Sequence, residues 1–496
     1  MLCTKFYAKG RFFMRFHVIV FVGLILSAVG LSACSTNPAT GRSQFTGLMS
    51  PSAEQSIGAE EHQKIIKQMG LYQNDAVQNY VRGVGQKIAA NTERADVTYQ
   101  FFVVDDDMVN AFALPGGYVY VTRGLLALVN SEAQLAAVIG HEIAHVTGRH
   151  SAERYSRGVV TGLGVSILGA ALENSAASQV LNTGADLWTR SYSRGQESEA
   201  DVLGIRYLHQ AGYDPFAMAE FLTSMGRHSE LISQLSGKPE TPAFFSTHPN
   251  TGNRVVLATQ TAGTYASQPN VRIGRETYLR VIDGIAYGSG SKEGVIKGQS
   301  FLHPQIGFKF TAPKGFELIN KTNEVIARGP DGAVIVFDFN KVQQALSPAA
   351  YMANIWMGGE VKGQVENITI NGMRAATTAF PGNVGGAPVS IRLIAIEWAD
   401  GNFARFQIAI PQSASAELVD DFKRTTYSFA RLSAAEKRSI VDQSVKVITA
   451  SAKDSVASLS SQLPFKDYKK ERFLILNGME ANDEVKAGQR YKLIVN

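Results

Sequence analysis

The stretch AAVIGHEIAHVTGRH, residues 136–150, constrains this chain more than any other, because it sets two histidines four apart on an apolar, helical repeat. Ser131 and Gln134 read as a capping-box start. The spacing of Leu135, Val138, Ile139 and Ile143 then carries the helix through the histidines. At about 100° per residue, His141 and His145 stand roughly 40° and one turn apart, so both imidazoles reach one ion. Glu142 lies about 60° beyond His145 and borders the same face. This is the H-E-x-x-H arrangement: two neutral imidazoles hold zinc, and the neighbouring carboxylate takes a proton from the water on the metal. Zinc lowers the pKa of that water from about 15.7 to roughly 7, so hydroxide is available at neutral pH.

A catalytic zinc takes a third protein ligand and keeps its fourth position for water. The candidate lies in QESEAD, fifty-two residues after His145. Glu197 and Asp201 share a helix face that Gly204, Ile205 and Leu208 continue. Glu199 is turned about 200° away and reads as a solvent-side charge. The pattern selects Glu197 as the ligand and leaves Asp201 to accept the second N–H of a zinc-bound histidine.

H-E-x-x-H followed by E-x-x-x-D, here His141-Glu142-x-x-His145 and Glu197-x-x-x-Asp201, resembles the HtpX and CAAX prenyl-protease family of gluzincin metallopeptidases (metallopeptidase family forty-eight). NAFALPGGYVYVT is similar to that family's edge strand and turn over the cleft, and STHPNTGNR (246–254) to its S/T-H-P segment with a downstream arginine. The resemblance covers about residues 55–270. It implies a mostly α-helical zinc endopeptidase domain with a small sheet, one zinc per chain held by His141, His145 and Glu197, and Glu142 as general base. An unfolded or misassembled polypeptide would add as a strand along Asn110, Ala111, Phe112 and Ala113. His248 has three readings: it polarises the scissile carbonyl as a catalytic residue, plugs the open zinc position at rest, or is an ordinary surface histidine. Arg254 reads as a structural ion-pair partner, and His62, His150, His209, His228 and His303 read as ordinary. The chain departs from HtpX in lacking paired transmembrane helices around the catalytic region.

The first 33 residues have the texture of a secretory leader: Lys5, Lys9, Arg11 and Arg15 precede VIVFVGLILSAVGL, with no acidic residue. LSAC (31–34) resembles the lipobox of bacterial lipoproteins, in which Cys34 becomes the lipidated first residue. The alternative is an uncleaved anchor. Ser35 after the cysteine suggests the outer membrane, and the CSTNPATGR opening resembles the periplasm-facing lipoprotein members. Four of the net +5 charges lie in the leader, leaving about +1, which gives no nucleic-acid footprint. Cys3 and Cys34 are the only cysteines, so neither a disulfide in the mature chain nor a cysteine zinc site is possible.

Residues 34–54, rich in Ser, Thr, Gly and Pro, read as a tether, and 55–275 as the peptidase domain. The apolar run GVVTGLGVSILGAAL (158–172) is too short to span a membrane and reads as a buried or substrate-facing helix. Strand runs separated by Pro and Gly make residues 300–432 an α+β domain without a nameable site. Residues 440–496 resemble a diverged LysM module, with KDS in place of GDT and Ala487 where proline is common. That implies either peptidoglycan binding or a packing unit that completes the fold. The expected architecture is multidomain. The expected function is a zinc-dependent metalloendopeptidase in envelope protein quality control; the alternative is a zinc-stabilised chaperone or binding module for outer-membrane proteins.

Overall fold

A computed structural model of the chain describes residues 34–171, 191–236, 243–249, 252–265, 270–321, 323–384, 386–399 and 401–496. The leader assigned to residues 1–33 lies outside the described residues. Two compact units emerge: residues up to 65, 71–283 and 446–493 form the first, and 66–70, 284–445 and 494–496 the second. Among the described residues, no helix is long and apolar enough to cross a membrane.

The first unit opens where a tether was expected. Strands β1 (Cys34–Thr36) and β2 (Ser43–Phe45) pair as an antiparallel hairpin, and helix α1 starts at Pro51 and runs to Met69. The polar side chains of Asn37, Gln44 and Thr46 are buried, so this segment belongs to the domain. Helix α2 (Asp75–Ala89) begins at Asn74, whose side chain accepts from the Val77 N–H, and buries Val77, Val81, Val84 and Ile88 at helical spacing.

A three-stranded sheet follows. Strand β3 (Gln100–Val104) runs parallel to β5 (Tyr118–Thr122), and β4 (Ala111–Leu114) pairs antiparallel with the other side of β5. The order β3-β5-β4 leaves β4 on the edge. Its turn, Pro115-Gly116-Gly117, holds both glycines at positive φ (80° and 96°), conformations that a side chain resists.

The short helix α3 (Arg123–Leu128) leads to α4 (Glu132–Thr147). Ser131 accepts from the Gln134 N–H as its cap, while the Gln134 side chain accepts from the Asn130 N–H, one residue earlier than a capping box requires. Every residue of α4 is buried. Helix α5 (His150–Ala171) carries on into the glycine-bearing apolar run; the side chains of 161–171, and residue 172, lie outside the described residues. Helices α6 (Arg194–Gln210), α7 (Ala217–Ser236), α8 (Ala243–Thr247), α9 (Arg254–Gly263) and α10 (Arg275–Ile282) complete the helical part.

The C-terminal stretch has the order strand (Gln443–Thr449), helix (Val456–Ser461), helix (Lys469–Leu476), strand (Arg490–Val495). Residues 446–493 do not stand apart, as the sequence suggested, but join the first unit. Lys492 is fully buried and donates to the backbone carbonyls of Ala127, Leu128 and Val129 at the end of α3. The second unit is built on a seven-stranded antiparallel sheet over residues 317–411, backed by the helix Ala416–Ser428. Phe310, Phe337, Phe406, Phe422 and Phe429 fill its core. This is an α+β unit, and it begins at 284 where 300 was expected.

Candidate metal centre

Two helices bring the donors together because neither has a side chain where they cross. A Cβ on Gly140 of α4 would lie 3.3 Å from the Gly204 carbonyl oxygen, and one on Gly204 of α6 would lie 3.1 Å from the His141 amide nitrogen. The close approach places the first turn of α6, fixed by a capping box between Ser193 and Gln196, against the histidine face of α4.

The result is a buried cluster. His141, His145, Glu197 and His248 each offer a ligand atom, and these atoms lie within 4.8 Å of one another. His141 Nε2 and His145 Nε2 are 3.1 Å apart, and His248 Nδ1 is 3.2 Å from both His141 Nε2 and Glu197 Oε1. Glu142 sits beside them, with Oε1 3.5 Å from His248 Nε2. Neither oxygen of Glu142 has a hydrogen-bond partner among the described residues, nor does His248 Nε2. Buried polar atoms left in this way are costly unless something outside the chain meets them. Two neutral-capable imidazoles, a carboxylate and a third imidazole are a donor set that fits zinc.

The outward nitrogens are also held. His141 Nδ1 stands 2.9 Å from Asp201 Oδ1. Arg254 donates from Nε and Nη2 to Asp201 and sets Nη1 2.9 Å from Glu197 Oε2, which makes it the internal ion-pair partner expected of it. Burial alone would push Glu197 up, but His248, His141 and His145 hold it well below the usual carboxylate range. For Glu142 burial wins over the pull of His248 and His141, and its pKa rises. Burial drives His145 well below the ordinary histidine value. His141 is also penalised by burial, yet Asp201 and Glu197 raise it to about 9.

Sequence reasoning missed three contributors. His150, taken as ordinary, is buried with Nδ1 2.8 Å from His145 Nδ1. Glu199, taken as a solvent-side charge, accepts from Asn37, Thr40 and Arg42 of the N-terminal hairpin. Tyr192 stacks on His145 at 3.8 Å between ring centroids. The one available signal was Gly148-Arg149, a break just after the histidine helix that can fold the next residue back.

His248, one of whose readings was a surface histidine, is buried, and Phe244 stacks on it at 4.6 Å. Ala113 and His145 line the same small cavity, so the edge strand passes beside the cluster. Asn110 falls just before that strand, and its carbonyl accepts from the Thr122 N–H.

Residues 75–262 match the sequence profile of Peptidase family M48. The chain is 33% identical over 201 residues to the beta-barrel assembly-enhancing protease of Yersinia pestis, an alignment covering 38% of this chain and 40% of that protein. It is 35% identical over 202 residues to the putative beta-barrel assembly-enhancing protease of Vibrio cholerae, covering 39% and 40%. With the mitochondrial metalloendopeptidase OMA1 of Schizosaccharomyces pombe it shares 35% identity over 178 residues, covering 36% and 50%. The matched part thus spans between two fifths and one half of these relatives. Both the H-E-x-x-H helix and the E-x-x-x-D helix fall inside the span, residues 75–262, that is similar to Peptidase family M48.

Proposed function

We propose that this domain is a zinc metalloendopeptidase that hydrolyses peptide bonds of unfolded or misassembled envelope proteins. The observation that carries the reading is the Glu142 carboxylate, buried without a hydrogen-bond partner beside four convergent donors. A purely structural zinc site has no use for it.

His141, His145 and Glu197 would hold the ion, with Asp201 fixing the ring of His141. Zinc, when bound, supplies Lewis acidity toward a carbonyl. Glu142 takes the proton of the attacking water and delivers it to the leaving amide nitrogen. Its burial suits it to this role, because a raised pKa makes the carboxylate a better base. Substrate adds along Ala111, Phe112 and Ala113, where main-chain hydrogen bonds give affinity with little sequence preference. The position of His248 Nδ1 among the donors favours its reading as a resting-state plug over that of a carbonyl polariser.

Acylation of Cys34, and with it a lipid anchor facing the periplasm, belongs to the same proposal. The names of the Yersinia and Vibrio relatives support an envelope setting. The strand-helix-helix-strand order of the C-terminal segment supports a LysM-like unit with peptidoglycan as ligand. Failure of the full chain to sediment with purified sacculi would remove that part.

The deciding experiment compares wild type, Glu142→Gln and Glu197→Ala, each starting at Ser35, for bound zinc and for cleavage of an unfolded protein. Zinc in the first two, weakened zinc in the third and cleavage by wild type alone are expected. Zinc without cleavage in all of them points to a binding module or a plugged site, which His248→Ala separates by restoring cleavage only in the second case.

A further inference from the structure

We infer that His150 is a positioning residue for the metal ligand His145, and that the N-terminal hairpin holds it in place through Glu199. The inference rests on the zinc reading above and adds to it a connection between the metal centre and residues 37–49.

The argument begins with the protons. If His145 gives the lone pair of Nε2 to a metal, its remaining proton sits on Nδ1. That nitrogen is 2.8 Å from His150 Nδ1, so His145 donates and His150 accepts. The acceptor role fixes the tautomer of His150 as well: its proton is on Nε2. His150 Nε2 faces Glu199 Oε1 across 3.8 Å, an electrostatic contact beyond hydrogen-bond length. The polarity therefore runs one way, from ligand to imidazole to carboxylate. His141 has the shorter version of this chain, with Asp201 in direct contact at 2.9 Å.

The carboxylate at the end of the longer chain is held by the segment that follows Cys34. Asn37 Nδ2 donates to Glu199 Oε1 at 2.5 Å, Thr40 Oγ1 to the same oxygen at 3.3 Å, and Arg42 Nε to Oε2 at 3.1 Å. Arg42 also reaches Glu153 on α5 at 3.1 Å, and Glu153 accepts from Gln196 on α6. Asn37 is 1% exposed, so it is a seated side chain rather than a linker residue in water. Its Oδ1 accepts from the N–H groups of Ala39 and Thr40, which shapes the turn.

A second set of contacts reaches the same histidine from the backbone. The chain leaves α4 through Gly148 and Arg149 before His150 starts α5. A Cβ on Gly148 would fall 2.6 Å from His150 Nε2, so the ring occupies space that only glycine leaves. Arg149 has a φ of 53°, a left-handed conformation that is strained for a residue with a side chain. Its side chain is pinned by Glu54 Oε1 at 3.0 Å, Thr46 Oγ1 at 3.2 Å and the Met49 carbonyl at 2.6 Å. The strained turn that swings His150 back onto His145 is therefore braced by the same N-terminal region that holds Glu199.

The test compares wild type, His150→Leu, His150→Asn and the double variant Asn37→Ala/Arg42→Ala. Zinc dissociation constants and the visible absorption spectrum of the cobalt-loaded proteins are measured, with circular dichroism and thermal unfolding to verify the fold. Loss of such an outer partner typically weakens metal binding about 10–100-fold, which is the result expected for His150→Leu, together with an altered cobalt spectrum. His150→Asn, which keeps a polar atom near the Nδ1 position, recovers most of the affinity. The double variant, folded and with His150 intact, shows a weaker loss than His150→Leu, below about 10-fold, because it acts on His150 through one more group. Wild-type affinity and spectrum in a folded His150→Leu would overturn the inference, and an unaltered double variant would remove the hairpin from it. If His150→Leu does not fold, His150→Ala takes its place, and wild-type zinc affinity and cobalt spectrum in a folded His150→Ala overturn the inference. Absence of zinc from wild type would instead sink the metal reading on which the inference rests.

Discussion

Arg254 grips the Asp201 carboxylate with two hydrogen bonds of 2.7 Å each, at a depth where the two side chains are 1% and 0% exposed. The pair does more than neutralise itself, since Asp201 also faces His141 Nδ1 and the third guanidinium nitrogen faces Glu197. Removing one member leaves uncompensated charge in the interior, which costs about 3–5 kcal/mol. Arg254→Met is expected to lose that much stability in denaturant unfolding. Arg254→Lys keeps the charge but not the fork, so it should retain more stability while still weakening zinc binding. Equal stability of Arg254→Met and wild type would refute this account.

The edge strand gives a second prediction. Thr122 donates its N–H to the Asn110 carbonyl, which marks 110/122 as a hydrogen-bonded pair. By alternation the N–H groups of Phe112 and Leu114 face β5, and those of Ala111 and Ala113 face outward. Proline is tolerated on such an outward position because no ladder bond is lost. Ala113→Pro should therefore fold and bind zinc normally, yet raise KM for an unfolded polypeptide several-fold. An unchanged KM would show that substrate does not pair with this edge.

The same contrast between local and distant partners explains what the sequence revealed. Helix α4 was legible because its cap at Ser131 and its apolar repeat are local, and the β4–β5 hairpin because Pro115-Gly116-Gly117 interrupts two strand-like runs. Glu197 and Asp201 were legible because four-residue spacing on a helix is geometry. Glu199 was misread by the same rule: its face looked solvent-directed, and its partners Asn37, Thr40 and Arg42 lie more than 150 residues away in a stretch with the composition of a linker. His150 was missed because it lies past the helix end, where a left-handed Arg149 redirects the chain. The placement of residues 446–493 in the first unit rests on distant contacts such as those of Lys492, Arg227 and Arg275 with backbone carbonyls, which no sequence pattern names.

That lysine supports a third prediction. Its Nζ donates at 2.7, 3.1 and 2.9 Å to three carbonyls at the end of α3, with no exposure to water. Lys492→Met fills similar space but leaves those buried acceptors unmet, a loss of about 1–3 kcal/mol. The expected result is one cooperative transition of the first unit, shifted to lower denaturant. A C-terminal segment that melts separately, with the transition of the metal-binding helices unmoved, would show that the two do not fold together.

A fourth prediction concerns acid. His228, half-buried on α7, has its pKa lowered from 6.5 to about 4, first by burial and then by the nearby Arg472 guanidinium. Between these values the unfolded chain binds a proton that the folded chain refuses, so stability is complete above about pH 6.5 and declines as pH falls toward 4. Carboxylates held low by ion pairs lose their contribution further down the scale and do not mask this window. His228→Gln removes the titrating group, so its unfolding free energy should depend less on pH than that of wild type between pH 7 and 5. Chemical denaturation at several pH values measures the difference, and parallel curves for the two proteins would mean that His228 is free to protonate in the fold.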